Sequence, residues 1–131
     1  MTPGEAANSR AVERLFEGLN AKDVSVMNEV FTDDSELVYP QSGEIIRGRA
    51  NRQGVYEATK NLPSNTPSRT IASGDVVVAE VALDYGSDTF QAVFIFEFRE
   101  DRIFRETVYW SKPFPPAASR SKWVELEPAG E

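Results

Sequence analysis

The stretch 89-TFQAVFIFEFREDRIFRETVYW-110 decides the fold. Read as extended chain, its side chains alternate between two faces. In the first half Phe90, Ala92, Phe94, Phe96 and Phe98 share one face, and Gln91, Val93, Ile95 and Glu97 take the other. In the second half Phe104, Glu106, Val108 and Trp110 point one way, and Arg105, Thr107, Tyr109 and Ser111 the opposite way. The short polar link at Glu100 and Asp101 argues for an antiparallel hairpin. One carboxylate, Glu106, therefore stands on the apolar face of the last strand. It is either a working group in a pocket, a salt-bridged structural carboxylate, or a residue turned to water where the strand end frays.

The chain before this hairpin supplies its partners. The run "TIASGDVVVAEVALDY" (70–85) is strand-like, broken at Ser73–Gly74, and the link "GSD" (86–88) makes another hairpin. At the N-terminus Thr2, Pro3 and Glu5 have capping-box spacing, with Asn8 or Ser9 as alternative caps. Ala11, Val12, Leu15, Phe16 and Leu19 then recur at helical steps, and the helix should end near Asn20. Asp23 can cap a second, shorter helix with Val26, Met27, Val30 and Phe31 on its apolar side. "ELVYPQSGEIIRG" (36–48) reads as strand, turn and strand. "RANRQGVYEATKNLP" (49–63) is a third helix with Val55, Tyr56, Thr59 and Leu62 inward, stopped by Pro63. "PSNTPS" (63–68) reads as a loop. Helices first and an antiparallel meander after them make an α+β domain, with the helices covering one face of a curved sheet. One domain is expected over 1–131, with 113–131 a proline-rich tail whose Trp123 is a candidate to dock back onto the body.

Composition narrows the chemistry. The chain has 131 residues, a length that suits one domain. It contains no cysteine and no histidine. Disulfides, thiolate nucleophiles and Ser–His or Cys–His pairs are excluded, so acid–base work would fall to Asp, Glu, Tyr, Lys or water. With 14 basic and 21 acidic residues the formal charge is −7, which opposes nucleic acid and anionic membranes unless a local patch overrides it. The opening residues lack a basic region followed by an apolar run, and no long apolar stretch follows, so a cytoplasmic protein is expected. No carboxylate cluster has metal spacing and no glycine-rich phosphate loop occurs, so no metal or cofactor is expected. Asp33 and Asp34 read as a surface turn.

The order of these pieces resembles the nuclear transport factor 2-like superfamily, in its SnoaL-like and ketosteroid-isomerase-like branch. The resemblance rests on "LNAKDVSVMNEVFTDDSELVYP" (19–40), "IRGRAN" (46–51) and "RIFRETVYWSKPF" (102–114), and it covers nearly the whole chain. It implies a cone: a strongly bent, mostly antiparallel sheet wrapped around three helices and enclosing an apolar cavity. The family uses such cones for isomerases, polyketide cyclases, epoxide hydrolases, dehydratases and binding proteins. The ketosteroid isomerases carry an aspartate base, a tyrosine donor and a protonated aspartate where this chain aligns Tyr39, Leu15 and Phe94, so that mechanism is not implied here. The family tryptophan near the end of the last strand is matched by Trp110. The family commonly pairs sheet to sheet. Val93, Ile95 and Tyr109, on the face away from the helices, therefore mark the expected homodimer contact.

Glu106 is the candidate base, expected to face the cavity between Phe104 and Val108. Burial would raise its pKa unless an arginine or a tyrosine hydroxyl reaches it, and Arg47, Arg49 and Arg52 are possible partners at a helix entry. Tyr39 and Tyr56 are candidate donors to a ligand carbonyl or phenolate, or tyrosines that reach the rim. Leu15, Phe16, Phe94, Phe96, Val108 and Trp110 are the expected wall, and any one phenylalanine could equally be plain core. The ligand would be a small apolar or aromatic molecule. Two readings follow. One is a cofactor-independent acid–base catalyst of isomerase, cyclase or dehydratase type on an apolar cyclic or polyketide-like substrate. The other is a non-catalytic ligand-binding or dimeric structural module built on the same cavity.

Overall fold

The first helix, α1 (Pro3–Asn20), starts where the capping box places it in the computed structural model, which describes residues 1–127. Thr2 Oγ1 accepts from Glu5 N at 3.1 Å, and Glu5 Oε1 accepts from Thr2 N at 2.8 Å. The second Glu5 oxygen accepts from Gly74 N at 2.8 Å, tying the helix start to a distant hairpin turn. Three backbone and hydroxyl donors around one carboxylate hold Glu5 below the usual carboxylate range. Val12, Leu15 and Phe16 form the buried stripe. Gly18 continues it because the second helix presses there: a Cβ at Gly18 would stand 2.6 Å from Val26 Cγ1.

The second helix, α2, covers only Val26–Val30. Asp23 does not cap it from the expected position. Its carboxylate folds back onto the backbone N–H and hydroxyl of Ser25, and Ser25 is the N-cap. Phe31, expected on this helix, instead opens β1 (Phe31–Tyr39). The pairing register slips between Phe31 and Glu36, so Asp33 and Asp34 bulge outward. There Arg49 and Arg99 pair with them. After β2 (Glu44–Arg47), Gly48 takes φ +83° and donates to Ser35 O at 2.7 Å. That left-handed turn sends α3 (Arg49–Ala58) back across β1.

α3 ends at Ala58 rather than at Pro63. Thr59 is extended, and its hydroxyl bonds back to Val55 O at 2.8 Å. "PSNTPS" is not a loop. Ser64 opens β3 (Ser64–Ser73), which pairs along its length with β4 (Val76–Asp84). β3 is an edge strand, where proline is tolerated, and the register slips between Pro67 and Arg69. Asn20 replaces a missing neighbour at its start, donating to Asn65 O at 2.8 Å and accepting from Asn65 N at 2.7 Å.

β5 (Thr89–Arg99) and β6 (Arg102–Ser111) complete a six-stranded sheet in the order β2-β1-β6-β5-β4-β3. Every pairing is antiparallel except β1 with β6. The sheet is mixed and open, and the three helices pack on its inner face. This is the expected α+β cone. Among the described residues the tail carries one 3-10 turn, at Ala118–Arg120, and Trp123 is 80% exposed, so it does not dock onto the body. The last four residues of the expected tail, 128–131, lie outside the described residues.

Candidate functional site

An apolar cavity of about 370 Å³ lies between the helices and the inner face of the sheet. Leu15 and Leu19 of α1 form one side, and Arg52 and Tyr56 of α3 a second. Leu37 and Tyr39 of β1, Phe94 of β5, and Glu106, Val108 and Trp110 of β6 form the floor. The parallel register sets Leu37 beside Glu106, so Tyr39 follows beside Val108 on the same face. Tyr39 and Trp110 meet edge to face, with centroids 4.8 Å apart.

Glu106 faces this cavity, as the alternation requires, but its neighbour is not the expected one. Between Glu97 and Phe98 the β5–β6 register slips by one residue. Ile103 is fully buried, whereas Phe104 is turned to the outer side under the Arg99 guanidinium. A bulge at Phe104 therefore resets the alternation before Glu106. Glu106 sits between Ile103 and Val108, not between Phe104 and Val108.

Arg52 reaches Glu106. Its Nη1 donates to Glu106 Oε1 at 2.7 Å, and the two residues are 5% and 6% exposed. Its Nε donates to Ser35 Oγ at 3.0 Å and its Nη2 to Glu36 O at 3.0 Å. The guanidinium carbon stands 3.8 Å from the centroid of the Phe31 ring. Two strands and one helix thus fix the pair. Arg47 and Arg49 do not take part: they pair with Glu36 and Asp33 at the surface. Among the described residues no group donates to Glu106 Oε2, and that oxygen is left to the cavity.

The tyrosines complete the polar set. Burial, with the Glu106 charge nearby, pushes the Tyr39 phenol up to about 12. It stays protonated at neutral pH and can only donate or accept a hydrogen bond. The Tyr56 hydroxyl is buried with no partner among the described residues, and burial pushes its phenol up as well. A buried hydroxyl without a partner costs free energy until something pairs with it.

Of the expected wall, Leu15, Phe94, Val108 and Trp110 line the cavity, and so does the candidate donor Tyr56. Phe16 and Phe96 do not. They pack behind Phe94, with centroids 5.3 Å and 5.8 Å from it, and belong to the core. Alternation places a side chain on a face but says nothing of its depth. Sequence pattern does not reveal two further contributors. Tyr85 lines the cavity from the end of β4. Gln41 follows Pro40, which has no N–H to extend β1. Its side chain supplies the missing rung, donating to Trp110 O at 2.7 Å and accepting from Trp110 N at 2.8 Å.

Known proteins share this architecture. The model of the SnoaL-like domain matches residues 12–106, well over half of the chain. A nuclear transport factor 2-like protein of unknown function from Burkholderia xenovorans LB400 is 30% identical over 95% of this chain and 98% of its own, with a TM-score of 0.83. A protein described as a candidate ketosteroid isomerase from Kribbella flavida is 23% identical over 95% and 93%, with a TM-score of 0.88. An epoxide hydrolase from M. tuberculosis is 23% identical over 83% and 86%, with a TM-score of 0.71. At those two lower identities the likeness is one of fold. No curated protein matches the sequence. Family model, fold and cavity together make the chain a member of the SnoaL-like domain family, on the nuclear transport factor 2-like fold.

Proposed function

We propose that the cavity takes a small, flat, largely apolar ring compound and moves a proton on it without a cofactor. The observation that carries this is the free oxygen of Glu106, buried in an apolar wall and held in place through its twin by Arg52. A carboxylate so placed can take a proton from a carbon beside a ligand carbonyl. The electron pair of that C–H bond becomes a C=C bond as the carbonyl π pair moves onto oxygen, forming an enolate. Tyr39, protonated at working pH, donates to that oxygen, and Tyr56 has an unsatisfied hydroxyl to add. Glu106, now a carboxylic acid, returns the proton at the same or another carbon. Fold neighbours named as isomerase and epoxide hydrolase lend the ring-bearing substrate support. The test is deuterium wash-in from heavy water into ring ketones such as 2-tetralone. Wild type should exceed the solvent rate, and Glu106→Gln should lose roughly two decades of that excess. A panel of ring ketones with no acceleration would end the catalytic reading.

One observation favours a second reading, binding without turnover: one Glu106 oxygen is already engaged by Arg52, which fits a structural carboxylate. A ligand retained in native mass spectrometry, with no wash-in, would decide for it.

We also propose that copies pair through the outer face of the sheet. Ile45, Val38, Thr107, Ile95, Val78 and Ile71 fall in one cross-strand row over all six strands. Tyr109 and Val93 flank it, with Tyr109 44% exposed. An apolar stripe of that extent is suited to a two-fold contact.

A further inference from the structure

We infer, on the basis of the ring-binding reading above, that the cavity selects uncharged ring compounds bearing a hydroxyl and rejects their anionic counterparts, although an arginine lies in its wall. A cation lining a pocket ordinarily reads as a receptor for carboxylate or phosphate. Arg52 is largely committed elsewhere, with three of its five N–H groups taken up inside the protein. Each of its three nitrogens already donates within the protein, to Ser35, Glu106 and the Glu36 carbonyl, and Phe31 covers one flat side. Its charge is matched by Glu106, and no other lysine or arginine lines the cavity among the described residues.

The unengaged polar atoms that line the cavity include Glu106 Oε2 and the hydroxyls of Tyr39, Tyr56 and Tyr85, and none of them is cationic. An anion would lose its hydration and meet a carboxylate oxygen with no unengaged cation to offset the loss. A neutral hydroxyl can donate to Oε2 while its ring lies among Tyr39, Phe94 and Trp110. Charge selection thus follows from how the arginine is engaged, not from the sign of the nearest cation.

The test compares two probes of one shape, 2-naphthol and 2-naphthoate, by isothermal titration calorimetry on the full chain at neutral pH. Wild type should bind 2-naphthol at least about tenfold more tightly than 2-naphthoate. In Glu106→Gln the shape is kept while Arg52 loses its counter-charge, so 2-naphthoate should gain about tenfold or more. Equal or tighter binding of 2-naphthoate by wild type would overturn the charge selection while leaving the ring-binding reading intact. Failure of both probes to bind would overturn the ring-binding reading, and this inference with it. Circular dichroism of the variant checks its fold, and the wild-type comparison stands without it.

Discussion

Replacing Arg52 by methionine should be the most damaging single change in the site. Methionine keeps an apolar stem but loses the guanidinium over Phe31 and leaves the Glu106 carboxylate buried without its partner. It also strips donors from the Ser35 hydroxyl and the Glu36 carbonyl. Breaking a buried ion pair by removing one partner costs about 3–5 kcal/mol. The unfolding entropy of about 2.1 cal/mol/K per residue over 131 residues is about 0.28 kcal/mol/K. The predicted fall in Tm is therefore about 11–18 °C, read by circular dichroism or calorimetry. The double variant Arg52→Met with Glu106→Leu removes both charges. It should recover most of the loss, because two apolar groups of similar volume can replace such a pair at little cost. A coupling of at least about 2 kcal/mol should appear in the cycle. Arg52→Met shifting Tm by less than about 4 °C, or two losses that simply add, would refute the buried pair as the anchor of the site.

Other outcomes follow from single contacts. The Tyr39 phenol, pushed to about 12 in the fold against ~10 unfolded, favours the folded state. That contribution is fully present below pH ~10 and is lost as pH rises through about 12. The tyrosinate absorbance of wild type minus Tyr39→Phe should therefore show its step near 12, and a step near 10 would contradict the burial. Gly18→Ala should destabilise by about 1–3 kcal/mol because its methyl group meets Val26, despite better helix propensity. Gly54→Ala, with nothing near its added carbon, should instead stabilise by about 0.5–1 kcal/mol in the same urea titration. Val93→Glu should turn the proposed dimer into a monomer at micromolar concentration in light scattering, and unchanged association would remove the sheet face as the contact. Gln41→Ala should broaden the Trp110 indole N–H signal in NMR and leave that of exposed Trp123 unmoved.

Much of the fold is legible in the sequence because local signals agree with it. The Thr2–Glu5 capping box, the phenylalanine alternation of β5 and the short polar links of the hairpins each depend on residues close in sequence. Local pattern misleads where distant partners decide. "PSNTPS" has a loop's composition, yet pairing with β4 and the Asn20 clamp make it an edge strand. The bulge at Phe104 is invisible to alternation, which assumes an unbroken register. Within the site, Glu106 stands out as a charge in an apolar pattern. Arg52 is only one of three candidate partners by sequence, although it lies one helical turn before Tyr56 on the stripe of α3 that meets the cavity; Val55, expected inward, is 42% exposed. Helical spacing singles it out once that stripe is followed back. Gln41 acts through backbone groups of another strand, and nothing local announces that.

The most direct test of the central claim is a crystal structure of the wild-type chain with 2-naphthol. The account predicts the ring between Trp110, Tyr39 and Phe94, and the hydroxyl about 2.7 Å from Glu106 Oε2, with the Arg52–Glu106 pair unbroken. Naphthol bound elsewhere with the cavity unfilled, or Glu106 turned out to solvent away from Arg52, would contradict it.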